Sequence, residues 1–128
     1  MPYTSDRKFR MWAYSCSHSF LILRSTFNSD EDKYGYNIDI EFAGVEYLDT
    51  PMTLNGISIE ELKEDLPEKF KKYQSSKWYR VFQIKSDVNY YIVAANYLVG
   101  KNSWMHDEDR MINSSLKYDK ILATSEKR

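Results

Sequence analysis

Residues 36–42, Tyr36-Asn37-Ile38-Asp39-Ile40-Glu41-Phe42, carry the cleanest alternation in the chain. With a period of two, Ile38, Ile40 and Phe42 share one face, and Asn37, Asp39 and Glu41 share the other. The pattern predicts an antiparallel strand with its apolar side on a core and its polar side in water. Upstream, Phe9, Met11 and Ala13 alternate with Arg10, Trp12 and Tyr14, while Phe20-Leu21-Ile22-Leu23 is a short apolar run. The first suits a strand with two different faces, the second a strand covered on both. The polar Ser15-Cys16-Ser17-His18-Ser19 between them predicts a hairpin turning near Ser17-His18, without the Asn-Gly or Asp-Gly that would fix its type. Residues 27–35 are an acidic loop, and Ala43-Gly44 is a tight turn or bulge. Val45-Glu46-Tyr47-Leu48 is a fourth short strand, closed by Asp49-Thr50-Pro51.

Helical spacing enters after Asn55-Gly56. Ser58-Ile59-Glu60-Glu61 matches a capping box, with Ile57 and Leu62 placed for a hydrophobic staple. Ile59, Leu62, Leu66, Phe70 and Tyr73 follow at steps of three and four. Pro67 kinks this segment, and Asp65-Leu66-Pro67-Glu68 reads as a second N-cap. Glu60, Glu61, Glu64 and Asp65 come first and Lys69, Lys71 and Lys72 last, an order that suits the helix dipole. Residues 78–85 and 90–99 return to strand patterns around a turn at Ser86-Asp87-Val88-Asn89. In the first, Trp78, Arg80, Phe82 and Ile84 share a face; Gly100-Lys101-Asn102 ends the second. Ile112, Leu116 and Ile121 suggest a C-terminal helix. The expected fold is therefore α+β: an antiparallel sheet or half-barrel of about six strands, with a helical segment kinked near Pro67 packed on one face.

A chain of 128 residues suits a single domain, 1–128, with frayed ends at 1–8 and 123–128. No apolar run approaches the ~20 residues of a membrane-spanning helix, and the N-terminus has no apolar leader core. The single cysteine, Cys16, excludes an internal disulfide framework and a cysteine-rich zinc site. These features predict a cytoplasmic protein without membrane association. The formal net charge is −1, which provides no global attraction to nucleic acid. The halves differ: residues 1–64 hold 6 basic and 11 acidic groups, residues 65–128 hold 12 and 8. Eleven tyrosines and three tryptophans are a marked excess for this length. Such side chains build core and rim, and where they cluster outside they make binding hot spots.

Four groups of residues carry candidate chemistry. Cys16 and His18 lie two apart, as a thiol and an imidazole on one strand face would, and could form an activated nucleophile or line a ligand pocket. The simpler reading is a small cysteine beside a turn histidine. His106-Asp107-Glu108-Asp109 offers metal-ligand types, but adjacent residues do not converge readily on one ion, so a solvated acidic loop is favoured. Asp30-Glu31-Asp32 lacks the remainder of a calcium loop. Residues 69–85, KFKKYQSSKWYRVFQIK, hold Lys69, Lys71, Lys72, Lys77, Trp78 and Arg80 with no acidic residue. Lysines can track phosphates while aromatic rings stack on bases. The plainer alternative is a helix C-terminus followed by a strand.

Walker, GxGxxG, HExxH and GxSxG motifs are absent from the sequence. The expected function is a small intracellular, non-enzymatic protein-binding module of immunity or adaptor type, acting as a monomer or homodimer without a cofactor or metal. The expected partner is a protein. One alternative is a nucleic-acid-binding domain using Lys69, Lys71, Lys72, Lys77, Trp78 and Arg80. The other is a small-ligand-binding protein or enzyme with a pocket near Cys16 and His18.

Overall fold

The computed structural model describes residues 2–26 and 35–126. Among these are nine strands: β1 (Tyr3–Ser15), β2 (Phe20–Ser25), β3 (Asn37–Ala43), β4 (Tyr47–Asp49), β5 (Thr53–Leu62), β6 (Arg80–Lys85), β7 (Asn89–Ala94), β8 (Asn96–Asn102) and β9 (Lys120–Thr124). They form one sheet in the order β4-β7-β6-β5-β1-β2-β3-β8-β9, with every pair antiparallel. The fold is mostly β, and the expected α+β architecture with a packed helix is incorrect. Its helical content among the described residues is one 3₁₀ turn, Glu68–Tyr73.

The predicted β1–β2 hairpin forms, turning through residues 16–19 with Ser19 at φ 51°. Alternation sets the register between neighbours. Leu21 pairs with Phe42 and Leu23 with Ile40, while Phe42 pairs with Tyr97 and Ile40 with Val99. These apolar pairs line one face of the sheet and bury it.

The sheet rolls over on this face. β3 continues into β4, and β7 into β8, as two halves of one bent ribbon. Ala95 N donates to Ala43 O at 2.9 Å and Glu46 N to Val93 O at 2.8 Å, holding the bend. Gly44 sits at φ +65°, and a Cβ there would fall 2.9 Å from the Ala95 methyl, so the bend requires glycine. The expected single strand over 90–99 is therefore two strands with different partners. Across the core Phe82 of β6 meets Phe42 at 6.0 Å and Tyr97 at 5.2 Å, although these strands lie far apart in the sheet order.

The capping-box helix does not form: residues 53–62 are β5, an inner strand between β1 and β6. Leu54, Ile57 and Ile59 point into the core, with Gly56 at φ +77° beside a register shift between β1 and β5. The Ser58 hydroxyl meets that of Thr4 at 3.2 Å instead of capping a helix. A cap contributes about 0.5–2 kcal/mol. Burying Ile57 and Ile59 contributes about 1.5–3 kcal/mol each, and a helix here would also leave one edge of β1 and one edge of β6 without a partner strand. The later part of the stripe has a separate role. Leu66 and Phe70 pack on the outer face of the sheet against Val81 and Val93, with Tyr47, Tyr73, Tyr79 and Tyr91 around them.

The predicted C-terminal helix is likewise absent. Turns occupy much of residues 106–115, and Ile121 lies in β9. No helix among the described residues is long and apolar enough to cross a membrane.

Candidate functional site

The outer face of β6 and β7 gathers most of the basic aromatic segment. Pro67 starts the 3₁₀ turn, and Phe70 N donates to Pro67 O at 2.8 Å. Phe70 is buried, with ring centroids 5.0 Å from Tyr47 and 5.2 Å from Tyr91. That anchor fixes the lysines around it. Lys69 lies over the rings of Phe70, Tyr47 and Tyr91 at 5.1, 5.4 and 5.8 Å and donates to the Tyr47 hydroxyl at 3.2 Å. The Tyr47 hydroxyl holds the Lys69 pKa above its usual value. Lys72 lies over Tyr73 at 5.3 Å, and Lys71 is 3.4 Å from Glu68. Lys71, Lys72 and Lys77 are at the surface, and Trp78 is 70% exposed in the segment leading to β6. Tyr73 and Tyr79 stand edge to face at 6.0 Å beside it. Ser76 Oγ accepts from Trp78 N at 3.1 Å and Tyr79 N at 2.9 Å, which shapes this turn.

Arg80 does not belong to that surface. It is buried, with Nη1 donating to the Glu126 carbonyl and lying 3.5 Å from Glu61. The alternation that places Arg80 with Phe82 and Ile84 is correct, and it turns the guanidinium inward. The structure thus groups Lys69, Lys71, Lys72, Lys77 and Trp78 and separates Arg80 from them.

A second arrangement went unread in the sequence. The polar face of β3 is not in water: Asn37, Asp39 and Glu41 are all buried. Residues 103–119 lie across it. Arg24 Nε and Nη2 donate to Asp39 Oδ1 and Oδ2 at 2.6 and 2.8 Å, and Nη2 also donates to Glu108 O at 2.8 Å. Asn102 Nδ2 donates to Asp39 at 3.2 Å, and Asn37 Nδ2 donates to Asn102 Oδ1 at 2.7 Å and Trp104 O at 3.0 Å. Glu41 accepts from the Tyr118 hydroxyl and pairs with Arg110 at 2.9 Å. The Tyr118 ring lies directly on Gly100 and stacks on Trp104 at 4.9 Å. The signal in the sequence is a pair of charges in neighbouring strands: acidic residues alternate in β3, and Arg24 closes the apolar run of β2. Only the pairing of β2 with β3 brings the two together.

Burial pushes the Glu41 carboxyl above the usual glutamate range, opposed by the Tyr118 hydroxyl and by Arg110. A folded pKa above the unfolded one means that the native state binds this proton more tightly. The associated stability is full below the unfolded value of about 4.3 and is lost as pH rises through the folded value. Glu41→Gln is therefore expected to flatten the fall of Tm with rising pH over that window. A slope identical to that of the parent protein would assign the titration to another group.

Cys16 and His18 occupy the exposed β1–β2 turn. His18 Nδ1 is 3.1 Å from the hydroxyls of both Ser15 and Ser17, so the imidazole is engaged by serines. In the His106–Asp109 stretch the carboxylates hold turns. Glu108 accepts from Met105 N at 3.0 Å, and Asp109 accepts from Met111 N and Ile112 N at 2.8 and 2.9 Å. Asp30-Glu31-Asp32 lies outside the described residues. Among the described residues no group of three or more His, Cys, Asp or Glu side chains could hold a metal ion.

One cavity of about 240 Å³ opens where β5 and β6 approach the end of β9. Ile59, Phe82 and Tyr97 line its inner part, and Glu61, Lys63 and Glu126 stand among its outer residues.

No family model, curated protein or solved structure matches this chain.

Proposed function

We propose that this chain is an intracellular, non-enzymatic protein-binding module that docks its partner on the face around Trp78. The observation carrying this reading is the 70% exposure of Trp78 beside lysines and tyrosines fixed by the buried Phe70. Tryptophan and tyrosine dominate binding hot spots because they bury large area at little entropic cost. Lys71, Lys72 and Lys77 suit an acidic protein surface that meets this face.

The protein reading is favoured over the nucleic-acid one by two placements. Arg80 is turned inward, and the Lys69 ammonium is engaged by three rings and a hydroxyl. Both reduce the charge left to follow a phosphate backbone. The test is affinity capture from source lysate with the parent protein and Trp78→Ala, with and without nuclease. The expected result is one stoichiometric protein partner that survives nuclease and binds Trp78→Ala at least about 30-fold more weakly, as loss of a ~2 kcal/mol hot spot implies. Capture abolished by nuclease would move the assignment to nucleic acid. Capture unaffected by Trp78→Ala would remove this face from the interaction.

A further inference from the structure

We propose that the free edge of β9 is a self-association surface, on which a second copy of this chain lays its own β9 antiparallel about a two-fold axis at Ala123. The inference goes beyond the reading of the Trp78 face and uses none of its residues. Strands β4 and β9 end the sheet. β4 is three residues long, and its Tyr47 packs against Phe70 and Lys69. β9 is five residues long, and among the described residues β8 is its one strand neighbour. Ser125 N donates to Tyr97 O at 3.0 Å, so the adjacent Thr124 turns its N–H and C=O to the free side. Leu122 is the extra residue of a bulge, set between Ile121 opposite Gly100 and Ala123 opposite Val99. Ile121 and Leu122 are 46% and 38% exposed. An open edge that carries exposed aliphatic side chains is a template for another strand.

Charge complementarity names the occupant. An axis at Ala123 sets Leu122 opposite Thr124, Ile121 opposite Ser125 and Lys120 opposite Glu126 of the second copy, each twice by symmetry. Opposite charges then meet at both ends of the paired segment. Both groups are available for this. Lys120 is exposed, and Glu126 uses Oε2 for Lys63 at 2.6 Å while its side chain stays 63% exposed. Among the described residues Glu126 Oε1 accepts no hydrogen bond. Neighbouring registers lose the match. An axis at Leu122 sets Lys120 against Thr124, and one between Leu122 and Ala123 sets Asp119 against Glu126, two like charges. A lysine ordinarily guards an edge against pairing. In the Ala123 register it becomes half of an ion pair.

Sedimentation equilibrium of the full chain tests this. The mass is expected to rise from 15.3 kDa toward twice that value between about 5 and about 500 µM, because one strand pair is a small interface with a Kd on the order of 50 µM. Lys120→Glu is expected to weaken association at least about tenfold, and Lys120→Glu combined with Glu126→Lys to restore it. Oxidative crosslinking in a Cys16→Ser background reads the register. Leu122→Cys mixed with Thr124→Cys is expected to give disulfide-linked pairs, and neither variant alone. A monomer throughout, association indifferent to Lys120→Glu, or crosslinking of either cysteine variant with itself would each overturn the proposal. Trp78→Ala is expected to leave self-association unchanged. Its loss in that variant would place the contact on the Trp78 face and remove it from β9.

Discussion

Arg24→Ala is expected to lower the unfolding free energy by about 3–5 kcal/mol, measured by urea denaturation. Arg24 and Asp39 are both fully buried, and their two hydrogen bonds are 2.6 and 2.8 Å long. The loss is not the net worth of the pair, because desolvating two ions cancels much of their attraction. It is the cost of leaving the Asp39 carboxylate in the interior with Asn102 at 3.2 Å as its remaining side-chain partner among the described residues. The same change frees Glu108 O, which holds residues 103–119 to the sheet, and strips the cation from the Trp12 ring at 5.0 Å. Replacing both charges, Arg24→Met with Asp39→Leu, is expected to recover more than half of the loss. A cost below about 1 kcal/mol for Arg24→Ala would mean that the buried carboxylate finds water or a proton without penalty.

Phe82→Ala is the other large effect, expected at about 3–5 kcal/mol for a fully buried ring. Against a typical total of about 5–15 kcal/mol, that brings the protein close to unfolding at ordinary temperature. Phe82 is where the rolled sheet meets itself, touching Phe42 of β3 and Tyr97 of β8. Phe82→Leu keeps most of the volume and is expected to cost clearly less. If alanine and leucine cost the same, the lost ring contacts, and not the void, would account for the destabilisation. Phe70→Ala offers a contrast, since Phe70 belongs to the separate outer cluster. It is expected to release the 3₁₀ turn and weaken docking at Trp78 while leaving the main core intact, which amide exchange of β3 and β8 would read.

The expected helix that does not form shows how local signals mislead. Ser58, Glu61, Ile57 and Leu62 satisfy every spacing of a capped helix start, and Ile59, Leu62, Leu66 and Phe70 continue it. The chain divides that stripe between two clusters on opposite faces of the sheet, with Ile59 in one and Leu66 and Phe70 in the other. Period two and period three-to-four share their short-range matches here. The choice between them depended on β1 and β6 being present to pair with β5, which residues 53–62 alone do not reveal.

The candidate site divides in the same way. Lys69, Lys71, Lys72, Lys77 and Trp78 were legible as a group because they are close in the chain. Arg80 was counted with them because proximity in sequence does not tell which side of a strand faces solvent. The cavity was not legible at all: Ile59, Phe82, Tyr97 and Glu126 come from four distant segments.

Alternation by itself determined that Ile38, Ile40 and Phe42 of β3 face the core and that Arg80, Phe82 and Ile84 of β6 share a face, since side-chain period along an extended backbone is a local property. It also placed the β1–β2 turn at Ser17-His18. Only the tertiary structure decided that the polar face of β3 is covered, that residues 53–62 are extended, and that 90–99 bends at Ala95. Those outcomes rest on pairing and burial between segments tens of residues apart. Their energies exceed the local preferences they overrule.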